Sequence, residues 1–135
     1  PAQAINYTNK TQFLFRIQKG ILDINDTGVN DYIKPENQRV PFRNMIYIGD
    51  SDTDIPCMSL VNANGGHSIG VYDPFKKDKE KVYKMMRHHR IRYYAPADYS
   101  NGSKLDTLVK QIIRKTAAYE VLEGEYIHCK YEAEE

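Results

Sequence analysis

Residues Met45–Cys57, MIYIGDSDTDIPC, decide the fold. Met45–Ile48 is a short apolar run with β-branched members and reads as a strand. Ile55–Val61 reads as a helix, because Pro56 falls in the first turn, where a missing N–H costs no hydrogen bond. Asn64-Gly65-Gly66 stops that helix, and Ser68–Tyr72, SIGVY, is the next strand. A strand, a helix and a second strand at this spacing make a βαβ unit.

The same alternation extends outward in both directions. Upstream, Ala2–Tyr7 reads as a strand and Thr11–Leu22 as a helix, with Phe13, Leu14, Ile17 and Ile21 inward. Asp23–Arg43 is polar and reads as an irregular connection. Downstream, Lys77–His88 has Val82, Met85 and Met86 at helical spacing, and Ile91–Tyr94 reads as a further strand. Ser103-x-x-Asp106 is a capping-box variant that opens a helix carrying Leu105, Leu108, Val109, Ile112 and Ile113. The fold class is therefore α/β, a parallel sheet with flanking helices. Residues 1–119 form the core, and 120–135 form an acidic helical tail.

Bulk properties exclude several classes. With 135 residues, 41% hydrophobic and 27% charged, the chain is one ordinary globular domain and not a disordered segment. Net charge is +1, so nothing draws the whole chain to nucleic acid or to a membrane surface. No apolar run reaches the length of a membrane span, and Cys57 and Cys129 lack metal or redox spacing. The expectation is a cytoplasmic protein with reduced thiols. The chain starts at Pro1 and not at methionine, so its start reads as cut or processed.

The acidic turn carries the chemistry. Asp50, Asp52 and Asp54 lie within one turn and repel one another unless a cation sits among them. In parallel α/β sheets ligands bind outside the carboxyl ends of strands, where Asp50 falls directly after Gly49. Gly49 permits a sharp backbone turn and keeps a side chain out of the site. Mg²⁺ suits the turn, since it takes one or two carboxylates and keeps waters or phosphate for its other positions. The plainer reading is helix capping. It suits Asp52, which faces solvent; it stays open for Asp54, and Asp50 precedes the cap.

Gly49-Asp50-x-x-x-Asp54, after an apolar strand and before a helix, resembles the fourth motif of the haloacid dehalogenase-like hydrolases. The wider run PFRNMIYIGDSDTDIPCMSLV, followed by GGHSIGVYDP, is similar to a bacterial phosphatase-like branch of that superfamily. The resemblance covers about Ile5 to Lys115. It implies a Rossmann-like three-layer core and Mg²⁺-dependent cleavage of phosphate monoesters through an aspartyl-phosphate. By that resemblance Asp50 is the Mg²⁺ ligand, and Asp54 acts behind it, through a metal-bound water or by orienting a lysine. That lysine should follow a strand and open a helix. Lys10 in NYTNKTQFLFRI fits, with Asn9 as N-cap and Gln12 as its capping-box partner. Lys34, in extended backbone before Pro35, is the second choice, and Lys19 lies too deep in the helix pattern.

The first motif of the family, a strand ending in DxDxT/V, occurs nowhere in the chain. The resemblance thus implies a C-terminal part that lacks the nucleophile and is inactive alone. The missing N-terminal part, or a second copy, should complete the sheet beside Met45–Ile48, whose edge would otherwise be open. The substrate is then a phosphorylated small molecule. The alternative is a non-catalytic α/β module that binds a metal or a partner through the acidic turn. The basic run KKDKEKVYKMMRHHRIRYY reads as a solvated helix face and not as a nucleic-acid surface. His88 and His89 diverge on a helix, His67 and His128 have no partners in sequence, and Asp98 reads as a turn cap.

Overall fold

The computed structural model describes residues 7–20, 38–76 and 78–134. Lys34, the expected strand through Ala2–Asn6, and residues 23–37 of the polar connection lie outside these residues. Two compact units divide the chain, residues 1–97 and 98–135.

The first unit is an α/β fold. Helix α1 spans Tyr7–Lys19, strand β1 Ile46–Gly49, helix α2 Ile55–Ala63, strand β2 His67–Tyr72, helix α3 Glu80–Arg87 and strand β3 Tyr93–Pro96. The strands form a parallel sheet in the order β1-β2-β3. Ile46 pairs with His67 and Gly49 with Gly70; on the other side of β2, Ile69 pairs with Tyr93 and Tyr72 with Pro96. Parallel neighbours need a crossover, and α2 and α3 supply the two crossovers. Among the described residues β1 is paired on one side only.

Among the described residues, two apolar clusters hold this unit. Leu14, Phe42, Met45, Cys57 and Val61 form one; Met58, Val82, Met85 and Ile91 form the other. Each such side chain contributes about 1.5–3 kcal/mol on burial. Gly65, at φ 83°, ends α2 in the left-handed region, which glycine enters without a Cβ penalty. Gly66 is required by space, since a Cβ there would run into the Phe42 carbonyl and Val61.

The element boundaries depart from the sequence reading, most of all in α1, α3 and β3. Helix α1 already includes Tyr7, so Tyr7 does not end a strand and Asn9 is not an N-cap. It stops at Lys19, because Gly20 takes φ 74° and donates to the Ile17 carbonyl at 3.2 Å. Its inward face also differs: Leu14, Arg16 and Gln18 are buried, whereas Ile17 is 39% exposed. Strand β3 starts at Tyr93 and not Ile91. His89, at φ 58°, and the Arg90 N–H bonded to the Met85 carbonyl close α3, which drops the Ile91 side chain into the core. Helix α3 starts at Glu80 and not Lys77, because the Asp78 carboxylate accepts the Glu80 N–H at 2.9 Å.

The second unit is a capped helix, α4, spanning Lys104–Ala133. Ser103 Oγ accepts the Asp106 N–H at 3.1 Å and donates to the Asp98 carbonyl at 2.7 Å. Asp106 returns the favour by accepting the Gly102 N–H and Lys110 Nζ, both at 2.9 Å. The helix runs without a break through residues 119 and 120, where the sequence reading places the start of a tail.

Candidate active site

The turn after β1 is built around the Asp54 carboxylate. Its Oδ2 accepts the Asp50 N–H at 3.1 Å, the Ser51 N–H at 3.2 Å and Ser51 Oγ at 3.2 Å. Its Oδ1 accepts Lys10 Nζ at 2.9 Å and Tyr47 OH at 2.8 Å. Lys10 also reaches Thr53 Oγ1 at 3.3 Å, and Thr53 in turn meets Ser51 Oγ at 2.8 Å. A single buried carboxylate thus folds the loop onto itself and ties α1 to it.

Gly49 makes room for that arrangement. A Cβ at this position would lie 2.7 Å from the Asp54 Cβ and 2.8 Å from its Cγ. The need is spatial: Gly49 is not among the glycines with positive φ, so the turn does not draw on glycine's access to the left-handed region.

The electrostatics follow from these contacts. Burial raises the Asp54 pKa, but hydrogen bonds from Lys10, Tyr47 and the Ser51 and Asp50 amides outweigh it and lower the pKa to about 2. Asp54 is therefore an anion across the physiological range. Tyr47 moves in the opposite direction: burial first, then its hydrogen bond to Asp54, hold the phenol protonated. Burial likewise raises the Cys57 thiol, which makes it a core group and not a nucleophile.

Asp50 stands apart from this network. Its side chain is exposed and makes no hydrogen bond or ion pair among the described residues. It lines a cleft of about 360 Å³ at the carboxyl ends of the strands, together with Tyr72, Asp73, Phe75 and Ala97. Asp73 Oδ1 accepts the Phe75 N–H at 2.9 Å and so shapes the loop after β2. Asp52 is elsewhere, largely exposed, and pairs with Lys81 at 3.3 Å on the surface, an interaction worth little. Asp98 accepts Ser100 N–H and Oγ at 3.0 and 2.6 Å in the second unit, a turn cap.

The structure thus brings Lys10 and Asp54 together, with Asp50 on the same turn. Lys19, at the far end of α1, has no part in that network. Three contributors escaped the sequence reading: Tyr47, Ser51 and Thr53. Tyr47 left a usable signal, since it alternates with Gly49 along β1 and so points to the same side as the space Asp54 occupies. Among the described residues no group of three or more His, Cys, Asp or Glu is arranged to hold a metal. The donor set fits a hard cation of the Mg²⁺ type only as one or two carboxylates, Asp50 with Asp73 on the same cleft, leaving other positions to water or phosphate.

No family model matches the chain, and no solved structure matches it. An uncharacterized protein of Borreliella burgdorferi (strain ATCC 35210 / DSM 4680 / CIP 102532 / B31) is 26% identical over 101 residues. The match covers 75% of this chain, which spans about a third (34%) of the length of that relative. No helix among the described residues is long and apolar enough to cross a membrane.

Proposed function

We propose that the chain supplies the cation-binding and lysine half of a Mg²⁺-dependent phosphohydrolase with a haloacid dehalogenase-like core. The observation that supports this most is Lys10, drawn from a distant helix onto Asp54 beside the exposed Asp50 at the carboxyl rim of a parallel sheet. A structural cap needs no lysine, because four donors from Tyr47, Asp50 and Ser51 already satisfy Asp54. A cation held at that point does have a use in phosphoryl transfer, where charge spreads over the phosphate oxygens.

In this reading each residue has one task. Asp54 stays ionised and fixes the ammonium of Lys10, so that the lysine is already placed when a phosphate arrives. Asp50 offers a carboxylate to Mg²⁺, with Asp73 on the same cleft. When bound, the metal neutralises phosphate charge and polarises the phosphoryl oxygens. Tyr47 stays protonated and donates to Asp54, which keeps the carboxylate oriented. The nucleophile and its acid/base partner come from a segment carrying DxDxT/V, upstream in a longer protein. That segment completes the sheet beside β1.

Assay of the chain joined to its upstream segment, with Mg²⁺ and a chromogenic aryl phosphate, tests the proposal. Asp50→Asn and Lys10→Met should each lower kcat/KM by about 100-fold or more, as loss of one transition-state charge partner does. Undiminished turnover in Asp50→Asn would sink it. A self-contained binding module, the alternative, would show full Mg²⁺ affinity in calorimetry without the upstream segment.

A further inference from the structure

A second feature lies on α4 and owes nothing to the candidate active site. From Tyr119 the helix carries Leu122, Tyr126, Cys129 and Ala133 at alternating three- and four-residue steps, the spacing of a coiled-coil seam. Leu105, Leu108 and Ile112 sit in the same repeat upstream, and Leu105 and Ile112 are buried. Beyond the break at Lys115 the stripe is uncovered: Tyr119 is 44% exposed, Leu122 71% and Tyr126 61%. Cys129 is exposed as well. Gly124, the poorest seam residue, faces directly away from the stripe, with nothing within 4 Å of the position its Cβ would take.

We propose that this face is a homodimer seam, in which α4 of a second copy packs in parallel against Tyr119–Ala133. The flanking charges select both the occupant and its direction. With Tyr119 and Tyr126 at the first core position of each heptad, Glu125 and Lys130 fall at the two positions that meet across a parallel pair. Each copy then presents Glu125 to Lys130 of the other, twice by symmetry. The remaining flanking contact within the stripe joins Ala118 to Glu123 and is neutral. Antiparallel pairing would instead set Glu125 against the other copy's Glu125, or against Glu132 with pairs of Glu123 and Lys130 only offsetting that repulsion, so the parallel pair alone gains net attraction. Parallel symmetry also brings the two Cys129 thiols face to face, whereas Cys57 is buried and out of reach.

The test is disulfide trapping of the full chain with copper-phenanthroline, which takes one electron from each Cys129 thiolate as the S–S bond forms. A Cys129-linked dimer should form in the unaltered chain and vanish in Cys129→Ala. Leu122→Asp should lower its yield about tenfold or more, as loss of roughly 1.4 kcal/mol or more of association energy does, with the far-ultraviolet helix signal kept. Light scattering should show the reduced chain dimerising with concentration and Leu122→Asp staying monomeric. Equal trapping from the outward position, Tyr131→Cys in the Cys129→Ala background, would overturn the seam, as would a reduced chain that stays monomeric.

Discussion

Lys10 and Asp54, 44 residues apart in sequence, meet at 2.9 Å, with the carboxylate more deeply buried than the ammonium. The two partners are not equivalent. Removing Lys10 leaves Asp54 with the Tyr47, Asp50 and Ser51 donors, whereas removing Asp54 orphans all of them together.

Stability should register that asymmetry. Lys10→Met is expected to cost about 1–2 kcal/mol, the scale of one charge-assisted hydrogen bond. Asp54→Ala should cost about 3 kcal/mol or more, because several partly buried donors lose their acceptor at once. Urea denaturation of both variants and of the double variant measures the difference. With Asp54 already absent, Lys10→Met should add little.

Acid should undo the same contacts. Asp54 has a folded pKa of about 2 against roughly 3.9 in an unfolded chain, a contribution of about 2–3 kcal/mol. Since the folded pKa is the lower one, the stabilisation is complete above about pH 4 and is lost as pH falls toward 2. Unfolding free energy measured between pH 5 and pH 2 should drop by at least that amount in the unaltered chain, since Asp98 and Asp106 are lowered too. In Asp54→Asn the drop should be smaller by about the same quantity.

Gly49→Ala tests the space beneath Asp54. The new methyl would stand 2.7 Å from the Asp54 Cβ, closer than side chains tolerate, so the turn must shift. The expected cost is about 1–3 kcal/mol, the range for overpacked sites. A spectroscopic sign should accompany it, because Tyr47 loses its fixed acceptor and its phenol should titrate at lower pH than in the unaltered chain. A variant of unchanged stability and unchanged tyrosine titration would show that the turn has slack.

These contacts also show what the sequence could and could not disclose. The β1–α2–β2 unit was legible because apolar runs, Pro56 and Asn64-Gly65-Gly66 mark it locally. Lys10 could be chosen only by its resemblance to a motif lysine, since nothing local connects it to a carboxylate 44 residues away. The start of α1 was misread because Asn9 and Gln12 imitate a capping pair inside a helix that already includes Tyr7. Ile91 was misread for a related reason. A β-branched residue next to Tyr93 and Tyr94 has strand character, yet tertiary packing uses it to plug the core. Asp54 shows that capping and lysine binding are not rival roles, because its two oxygens serve the turn and Lys10 separately.

Asp50 and Asp54 should separate cleanly under mutation, and this bears most directly on function. Asp50 is exposed and its carboxylate holds nothing in place among the described residues, so Asp50→Asn should change stability by no more than about 0.5 kcal/mol. Its effect belongs to cation binding. Titrating the chain with Mg²⁺ should shift the amide resonances of Asp50 and Asp73, and a 100-fold excess over Kd should add about 2.7 kcal/mol of stability. Both responses should be lost in Asp50→Asn and kept in Asp52→Asn, since Asp52 lies outside the cleft and pairs with Lys81. A Mg²⁺ response indifferent to Asp50 would move the cation away from this turn and remove the main support for a phosphoryl-transfer site here.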